Sequence, residues 1–421
     1  MNQAKPFDIP KREVWEAFKS VKANRGAAGV DGQSIEEFET QLAGNLYKLW
    51  NRLSSGSYMP PPVRRVDIPK ANGGTRPLGI PTVADRVAQE VVRRYLEPLL
   101  EPVFHADSYG YRPERSAVDA LRSARQRCWR YDWILDLDIK GFFDSIDWEL
   151  LLRAVRKHTQ CRWVLLYIER WLKAPAMLED GSLVPRERGT PQGGVVSPIL
   201  ANLFLHYTFD VWIGRRFPGV PFERYADDII CHCRTEREAL TLRRALDRRF
   251  TECGLVLHPE KTKVVYCKDT NRKGEYPNCQ FDFLGYTFRP RRAKWRGELY
   301  GLSFLPAASP KALKAIRQAI RGWSLQTRSD KALDDLARIF NPYIRGWINY
   351  YSHFYKSELY PTLRRIDAFL VRWARRKFKR LRQRPKVARD WLARVIRSSP
   401  DLFAHWPLLY GQGLNTGSRM S

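Results

Sequence analysis

The sequence predicts a mixed domain of strands and helices, α/β or α+β, followed by a strongly basic all-helical region. Three observations carry this reading. From Trp133 to Phe288, short apolar runs with strand alternation take turns with helix-patterned stretches. Around residue 290 the composition shifts, and Arg289 to Arg397 holds 28 basic against 7 acidic residues, a surplus of +21. Two acidic pairs, Asp136 with Asp138 and Asp227 with Asp228, stand inside otherwise apolar segments.

At 421 residues the chain can hold one large or two to three ordinary domains with ample core. Its 73 basic and 45 acidic residues give a net charge of +28. A surplus of that size points to a polyanion, either nucleic acid or an anionic membrane. The membrane reading is disfavoured, because no apolar run reaches the ~18 residues a span needs. The N-terminus Met1-Asn2-Gln3-Ala4-Lys5-Pro6 is no signal peptide. The seven cysteines are odd in number and scattered, as expected of reduced, mostly buried thiols in a cytosolic protein. Strand alternation puts Cys231 and Cys233 on one face and His232 on the other, which argues against a zinc site there.

Each element follows from local chemistry. Val14 to Phe18 opens an amphipathic helix that ends in the loop Arg25 to Gly32. Met59-Pro60-Pro61-Pro62-Val63 cannot be helical. Val63 to Ile68 alternates like a strand, and Lys70 to Arg76 is a tight basic turn. In the helix Asp85 to Leu100, Val87, Val91, Tyr95 and Leu99 have helical spacing. Trp133 to Ile139 is a strand, and Asp147 can cap a helix that turns Trp148, Leu151, Leu152 and Val155 inward. Gly189 to Asp210 is a turn and then a helix. Phe222 to Cys233 is two short strands meeting at the Asp pair, and Glu236 to Cys253 is a helix closed by Gly254. Thr262 to Cys267 and Phe283 to Phe288 are strand-like runs. A domain boundary is expected between Pro290 and Pro310, giving domains at 1–290 and 291–400, with a loose tail over 401–421.

The chemistry concentrates on the acidic pairs. In Ile134 to Ile139, Leu135, Leu137 and Ile139 share one face and Asp136 and Asp138 the other. Adjacent like charges raise each other's pKa, and a bound divalent metal reverses that penalty. Carboxylates from two strands suit hard Mg²⁺, which can activate an attacking hydroxyl and stabilise a leaving pyrophosphate.

Five ordered blocks add a resemblance. Arg224-Tyr225-Ala226-Asp227-Asp228 on a hairpin resembles the signature of reverse transcriptases. Leu137 to Ile146 resembles the first palm motif, and Gly189-Thr190-Pro191-Gln192-Gly193-Gly194-Val195-Val196-Ser197-Pro198 resembles the motif on the nucleotide side. Gly254 to Lys263 and Phe283-Leu284-Gly285-Tyr286 resemble the fourth motif and the primer-grip block. The leader Asn24 to Gly32, the block Arg76 to Pro81 and the late stretch Asn341 to Tyr351 are similar to bacterial group II intron-encoded proteins. The match spans roughly residues 10–400. Family members often carry a C-terminal Cys-rich endonuclease region. None follows here before Ser421, so the chain resembles the compact members, without expected second-strand cleavage.

The resemblance implies a right-hand polymerase of α+β class: fingers and palm, then an all-helical thumb or maturase domain. It implies an RNA-directed DNA polymerase that also binds its group II intron RNA to aid splicing and retrohoming. Asp138, Asp227 and Asp228 would be catalytic and hold two Mg²⁺ ions, with Mn²⁺ able to substitute and the Ile139 carbonyl as a further ligand. Asp136 and Asp144 are expected to be structural. Phe143 would be the aromatic gate that selects dNTPs, and Lys70, Arg76, Gln192 and Lys261 would meet the nucleotide or its phosphates. Arg372, Arg375, Arg376, Lys377, Lys379 and Arg380 would bind RNA phosphates. Implied partners are intron RNA, an RNA template with a DNA or RNA primer, target DNA and dNTPs, in a bacterial cytosol or nucleoid. Two alternatives stay open: an RNA-binding maturase without polymerase activity, and a domesticated reverse transcriptase of defence, retron or diversity-generating type. An RNA-directed RNA polymerase is disfavoured by Phe143.

Overall fold

The computed structural model describes residues 5–69, 73–294 and 300–411. Lys70 and its neighbours at 71–72 lie outside the described residues, as does the end of the chain beyond Gly411. The chain forms two compact units. The first comprises Met1–Ala120 and Trp133–Val264; the second comprises Leu121–Asp132 and Val265–Ser421.

In the first unit, Val63–Pro69 pairs antiparallel with Thr75–Ile80, from Arg64 opposite Ile80 to Pro69 opposite Thr75. Gly73 and Gly74, just before the second strand, have φ of 86° and 76°. Thr82 caps the helix Val83–Leu100 by accepting from the Asp85 N–H. That helix is buried on most of its first three turns and packs against Lys11–Asn24, whose Val14, Ala17, Phe18 and Val21 repeat at helical spacing. Asp147 caps Trp148–Arg156 through the Leu150 N–H, as its position predicts, with Leu151 and Val155 fully buried.

The sheet that matters for function sets Trp133–Leu137 beside Asp228–Cys233, which in turn pairs with Phe222–Tyr225, all antiparallel. Helix Glu236–Glu252 packs on its apolar face with Ala239, Leu242, Leu246 and Phe250 buried. Cys231 and Cys233 are buried, and none of the seven cysteines forms a disulfide. His232 lies in a fully buried pair with Glu223, 2.5 Å apart. Among the described residues no helix is long and apolar enough to cross a membrane.

The second unit departs from the sequence expectation in three ways. Phe283 to Phe288 is not one strand: Phe281–Phe283 and Tyr286–Lys294 are joined by a tight turn at Leu284 and Gly285, with φ of 49° and 78°. The Asn-Gly and Asp-Gly pairs that usually mark such turns are absent, so alternation alone could not reveal it. The basic region is also not helical from its start, because Tyr286–Lys294 pairs with Tyr300–Ala308 in a long hairpin. There Arg289 and Arg292 are exposed, while Arg291 is buried and bonds the Leu305 carbonyl and Glu358, and strand pairing satisfies the backbone. Ser309 then caps the first helix, Pro310–Gly322.

Helices Leu333–Tyr351, Tyr360–Lys377 and Pro385–Ser398 follow, around a core that includes Ile344, Leu363, Ile366, Leu370 and Trp373. The expected loose tail is the third difference. Phe403, His405 and Trp406 are fully buried, and Trp406–Tyr410 is helical. Two polar anchors explain it. Asn341 bonds the Leu402 carbonyl and the Ala404 N–H, each at 2.9 Å. Asp367 accepts from Trp406 Nε1 at 2.9 Å and the Tyr410 hydroxyl at 2.7 Å, and pairs with His405 Nε2 at 2.9 Å.

Asp367→Ala should therefore strip three buried groups of their acceptor. We expect a stability loss of about 2–4 kcal/mol, read from urea unfolding, together with new protease cleavage near residue 400. Unchanged protection of that segment would refute the anchor.

Candidate active site

The hairpin carrying Tyr225 to Asp228 is held from beneath by Arg224, a fully buried cation. Its Nε and Nη2 donate to both oxygens of Asp210, at 2.7 and 2.6 Å. Nη1 reaches Asn202 Oδ1 at 2.9 Å and the Ala226 carbonyl at 3.3 Å. Burial alone would raise the Asp210 carboxyl, yet the Arg224 guanidinium reverses this and holds it below its ordinary range. The bidentate geometry is what makes such a buried pair tolerable. Asp210 ends the π-helical turn His206–Asp210, a local widening that follows the helix Ser197–Leu205.

Arg224 thereby stabilises a strained turn. Tyr225 pairs with Asp228, so Ala226 and Asp227 form a two-residue hairpin loop. Ala226 adopts a φ of 57°, a conformation that costs energy for a residue with a Cβ. A second element closes over it. Gly110 lies so near that a Cβ there would sit 2.5 Å from the Ala226 nitrogen. The Asn202 amide bonds the Gly110 carbonyl at 2.6 Å, and the Tyr109 N–H bonds the Arg224 carbonyl at 2.8 Å.

Above the turn the candidate acidic residues converge in part. Asp227 is half-buried and its carboxyl is raised, first by burial and also by the Asp138 charge, while Arg76 pulls it down. Asp138 Oδ2 also receives the Lys261 ammonium at 3.4 Å. The segment after Gly254 holds Asp138: the His258 N–H bonds the Asp138 carbonyl at 2.8 Å, and two residues on the Lys140 N–H bonds the Val256 carbonyl at 2.9 Å. Among the described residues no three carboxylate, imidazole or thiol side chains are close enough together to form a metal cage. The neighbouring Asp138 and Asp227 carboxylates nonetheless fit a hard divalent ion, which would offset the burial of Asp227 and their mutual repulsion. Asp136 shares the face of Asp138 and is half-buried.

The basic side of the cleft is hydrogen-bonded. Arg76 Nε donates to Gln192 Oε1 at 2.5 Å, and Gln192 Nε2 donates to Asp144 Oδ2 at 3.3 Å. Phe143 is buried at 8% exposure with its ring against Phe142, 5.2 Å between centroids. Its carbonyl accepts from the Thr190 N–H at 2.8 Å. Thus Arg76, Phe143, Gln192, Asp138, Asp227 and Lys261 belong to one unit, and Asp144 ties to the nucleotide-side loop. Tyr111 was not singled out from sequence. Its hydroxyl is raised by burial and by the nearby Asp227 charge, and its ring lies 6.3 Å from that of Tyr225.

The basic candidates of the second unit divide. Lys377 donates to the Ser329 and Lys331 carbonyls at 3.0 and 2.7 Å. Arg375 donates to the Arg382 carbonyl at 3.1 Å, and Arg376 reaches the Gln326 carbonyl at 3.4 Å. These three tie down local backbone. Arg372, Lys379 and Arg380 are exposed, and Arg372 lies over the Phe369 ring.

Comparison with known proteins fits this geometry. Residues 68–288 match the family model described as reverse transcriptase (RNA-dependent DNA polymerase). Residues 313–391 match the group II intron maturase-specific domain. Protein YkfC of Escherichia coli K12 is 30% identical over 345 residues, 72% of this chain and 87% of that protein. The group II intron-encoded protein LtrA of Lactococcus lactis is 38% identical over 193 residues, 45% of this chain and 32% of LtrA. A putative COX1/OXI3 intron 1 protein of Saccharomyces cerevisiae is 22% identical over 364 residues, 74% of this chain and 40% of that protein.

The first match defines the class, an RNA-directed DNA polymerase. With the second, the chain belongs to the reverse transcriptase and maturase family of group II introns.

Replacing Arg224 by Met removes one partner of a fully buried pair, so Arg224→Met should cost about 3–5 kcal/mol in urea unfolding. The Asp210 contribution is present above the ordinary carboxylate range near pH ~4 and is lost on further acidification. That acid-dependent stability should disappear in Arg224→Met, and its persistence would contradict the assignment.

Proposed function

We propose that Asp138, Asp227 and Asp228 carry Mg²⁺-dependent DNA synthesis on an RNA template, and that the helical unit binds intron RNA during splicing and retrohoming. The observation that carries the first part is the Asp138–Asp227 pair. Burial and the Asp138 charge both raise the Asp227 carboxyl, Arg76 lowers it, and Lys261 sits 3.4 Å from Asp138. Two Mg²⁺ ions bound there, or Mn²⁺ in their place, would activate the primer 3′-hydroxyl and stabilise the leaving pyrophosphate. The Ile139 carbonyl is a further oxygen donor at the end of the same strand.

The chain's own groups do the rest. Arg76 and Lys261 meet the triphosphate, with Lys70 on the same finger turn as a further candidate outside the described residues. Gln192 is oriented by Arg76 and Asp144 toward the nucleotide. Phe143 is buried and backed by Phe142, so its ring has little freedom to make room for a ribose 2′-hydroxyl. The seven free thiols support a reducing bacterial cytosol.

For the RNA role, Arg372, Lys379 and Arg380 are exposed and are the better phosphate contacts; Arg376 is exposed too, but its guanidinium also reaches the Gln326 carbonyl. Arg375, Arg376 and Lys377 serve the fold first.

Primer extension on an RNA template should be abolished by Asp227→Ala, with folding kept; equal activity would sink the catalytic assignment. Phe143→Ala should gain rNTP incorporation, measured against dNTP use on the same template; an unchanged ratio would remove the gate. Affinity for group II intron RNA should fall about 10³-fold or more between 50 and 200 mM salt if some six phosphates are contacted. The Arg372→Ala, Lys379→Ala, Arg380→Ala triple variant should flatten that salt slope, and an unaltered slope would move the RNA surface elsewhere.

A further inference from the structure

Helix Val83–Leu100 buries a polar chain that ends on the loop bearing Gln192. Asp85 and Gln89 lie one turn apart on the same helix face, and each is 1% exposed. Asp85 Oδ1 accepts from the Tyr58 hydroxyl at 2.8 Å and from Trp171 Nε1 at 2.7 Å. Its Oδ2 accepts from Gln89 Nε2 at 2.9 Å. With its amide turned that way, Gln89 presents Oε1 to two consecutive backbone donors, the N–H of Val195 at 2.7 Å and of Val196 at 3.3 Å.

Those two donors close the loop 189–196 just before the helix Ser197–Leu205. The rest of the loop is tied to candidate nucleotide contacts. Gly189 and Thr190 donate to the carbonyls of Ile146 and Phe143 at 2.7 and 2.8 Å. The Gln192 carbonyl accepts from the Gly79 N–H at 2.7 Å. There is little slack, since a Cβ on Gly194 would lie 2.6 Å from Ser197 Oγ and 3.1 Å from Gln89 Oε1.

An apolar side chain would be cheaper to bury at residue 85. Burial pushes the Asp85 carboxyl up to about 6, against the donors Tyr58, Trp171 and Gln89 and the Arg86 charge. What a carboxylate supplies is direction. It accepts and cannot donate, so Gln89 has one usable orientation, and that orientation leaves its oxygen for the loop.

We propose that Asp85 and Gln89 are positioning residues for nucleotide binding: the Asp85 carboxylate fixes the Gln89 amide, which in turn holds the loop that presents Gln192. This rests on the reading of Gln192 as a contact to the incoming nucleotide.

Asp85→Asn keeps the size and the Oδ1 acceptor but turns Oδ2 into a donor. Gln89 must then reverse its amide or lose its partner, and the loop loses its acceptor or its register. The KM for dNTP should rise roughly ten- to a hundredfold, with kcat and primer-template affinity far less affected. Gln89→Met keeps the length and apolar packing, removes only the acceptor, and should give the same KM rise. Adding Gln89→Glu to Asp85→Asn reverses both polarities together. The introduced carboxylate accepts from the new amide with one oxygen and from Val195 and Val196 with the other, so the D85N/Q89E double variant should recover most of the wild-type KM.

Absence of that recovery, or equal losses in kcat and template affinity, overturns the relay. Gln192→Ala measured in parallel separates the two readings. If it leaves the dNTP KM unchanged, the role of Gln192 fails. If it raises KM while D85N and Q89M do not, the relay alone fails.

Discussion

The two-point bond between Arg224 and Asp210 is the constraint on which the active-site unit depends. It joins the Tyr225–Asp228 hairpin to the helical segment Ser197–Asp210, with both partners fully buried. Buried ion pairs are poor sources of net stability, because desolvation consumes most of the attraction. What this one supplies is position. It reaches the Ala226 carbonyl and Asn202, and through Asn202 the Gly110 backbone, so three chain segments share one cation. A turn that is strained at Ala226 and carries an acidic pair would not hold its shape alone.

The nucleotide side has a parallel arrangement built from neutral hydrogen bonds. The loop 189–196 receives fixed contacts from the ends of Ile146, Phe143, Gly79 and Gln89. Two rigid supports thus flank one cleft: a charged one under the carboxylates and a hydrogen-bonded one under Gln192. Preorganisation of this kind spares the reaction the cost of arranging dipoles and reactants at the moment of transfer.

Much of this was legible in the sequence. The strands at Trp133 and Phe222, the Asp147 and Gly254 helix ends, and the Asp pair between two short strands all follow from alternation and capping. What was not legible had physical causes. Alternation cannot reveal a turn at Leu284-Gly285 that uses an uncommon residue pair, nor distinguish arginine-bearing strand from basic helix between Arg289 and Ala308. The burial of Phe403 to Tyr410 depends on Asp367 and Asn341, distant acceptors that no local pattern signals. In the site, Arg224 was legible as part of the Arg224 to Asp228 signature. Asp210, Asn202, Gly110 and Gln89 carry no such local mark, because their roles arise only when separate segments meet. In the cationic run near Arg376, Arg375, Arg376 and Lys377 also bond local backbone carbonyls, which their sequence does not signal.

The Asp367 pocket also bears on how the protein is made. Its donors follow it by 38 to 43 residues, so on the ribosome the carboxylate waits in an unfinished core. Until His405 and Trp406 emerge, the helices of the second unit expose surface that the finished protein hides. The same unit takes Leu121–Asp132 from far upstream, leaving that segment unpartnered for most of synthesis. Assembly of the second unit is therefore late, because it waits on residues up to Tyr410. The first unit takes no residue beyond Val264, so it can fold while the second is still incomplete, and the two halves of one polypeptide mature in order along the chain.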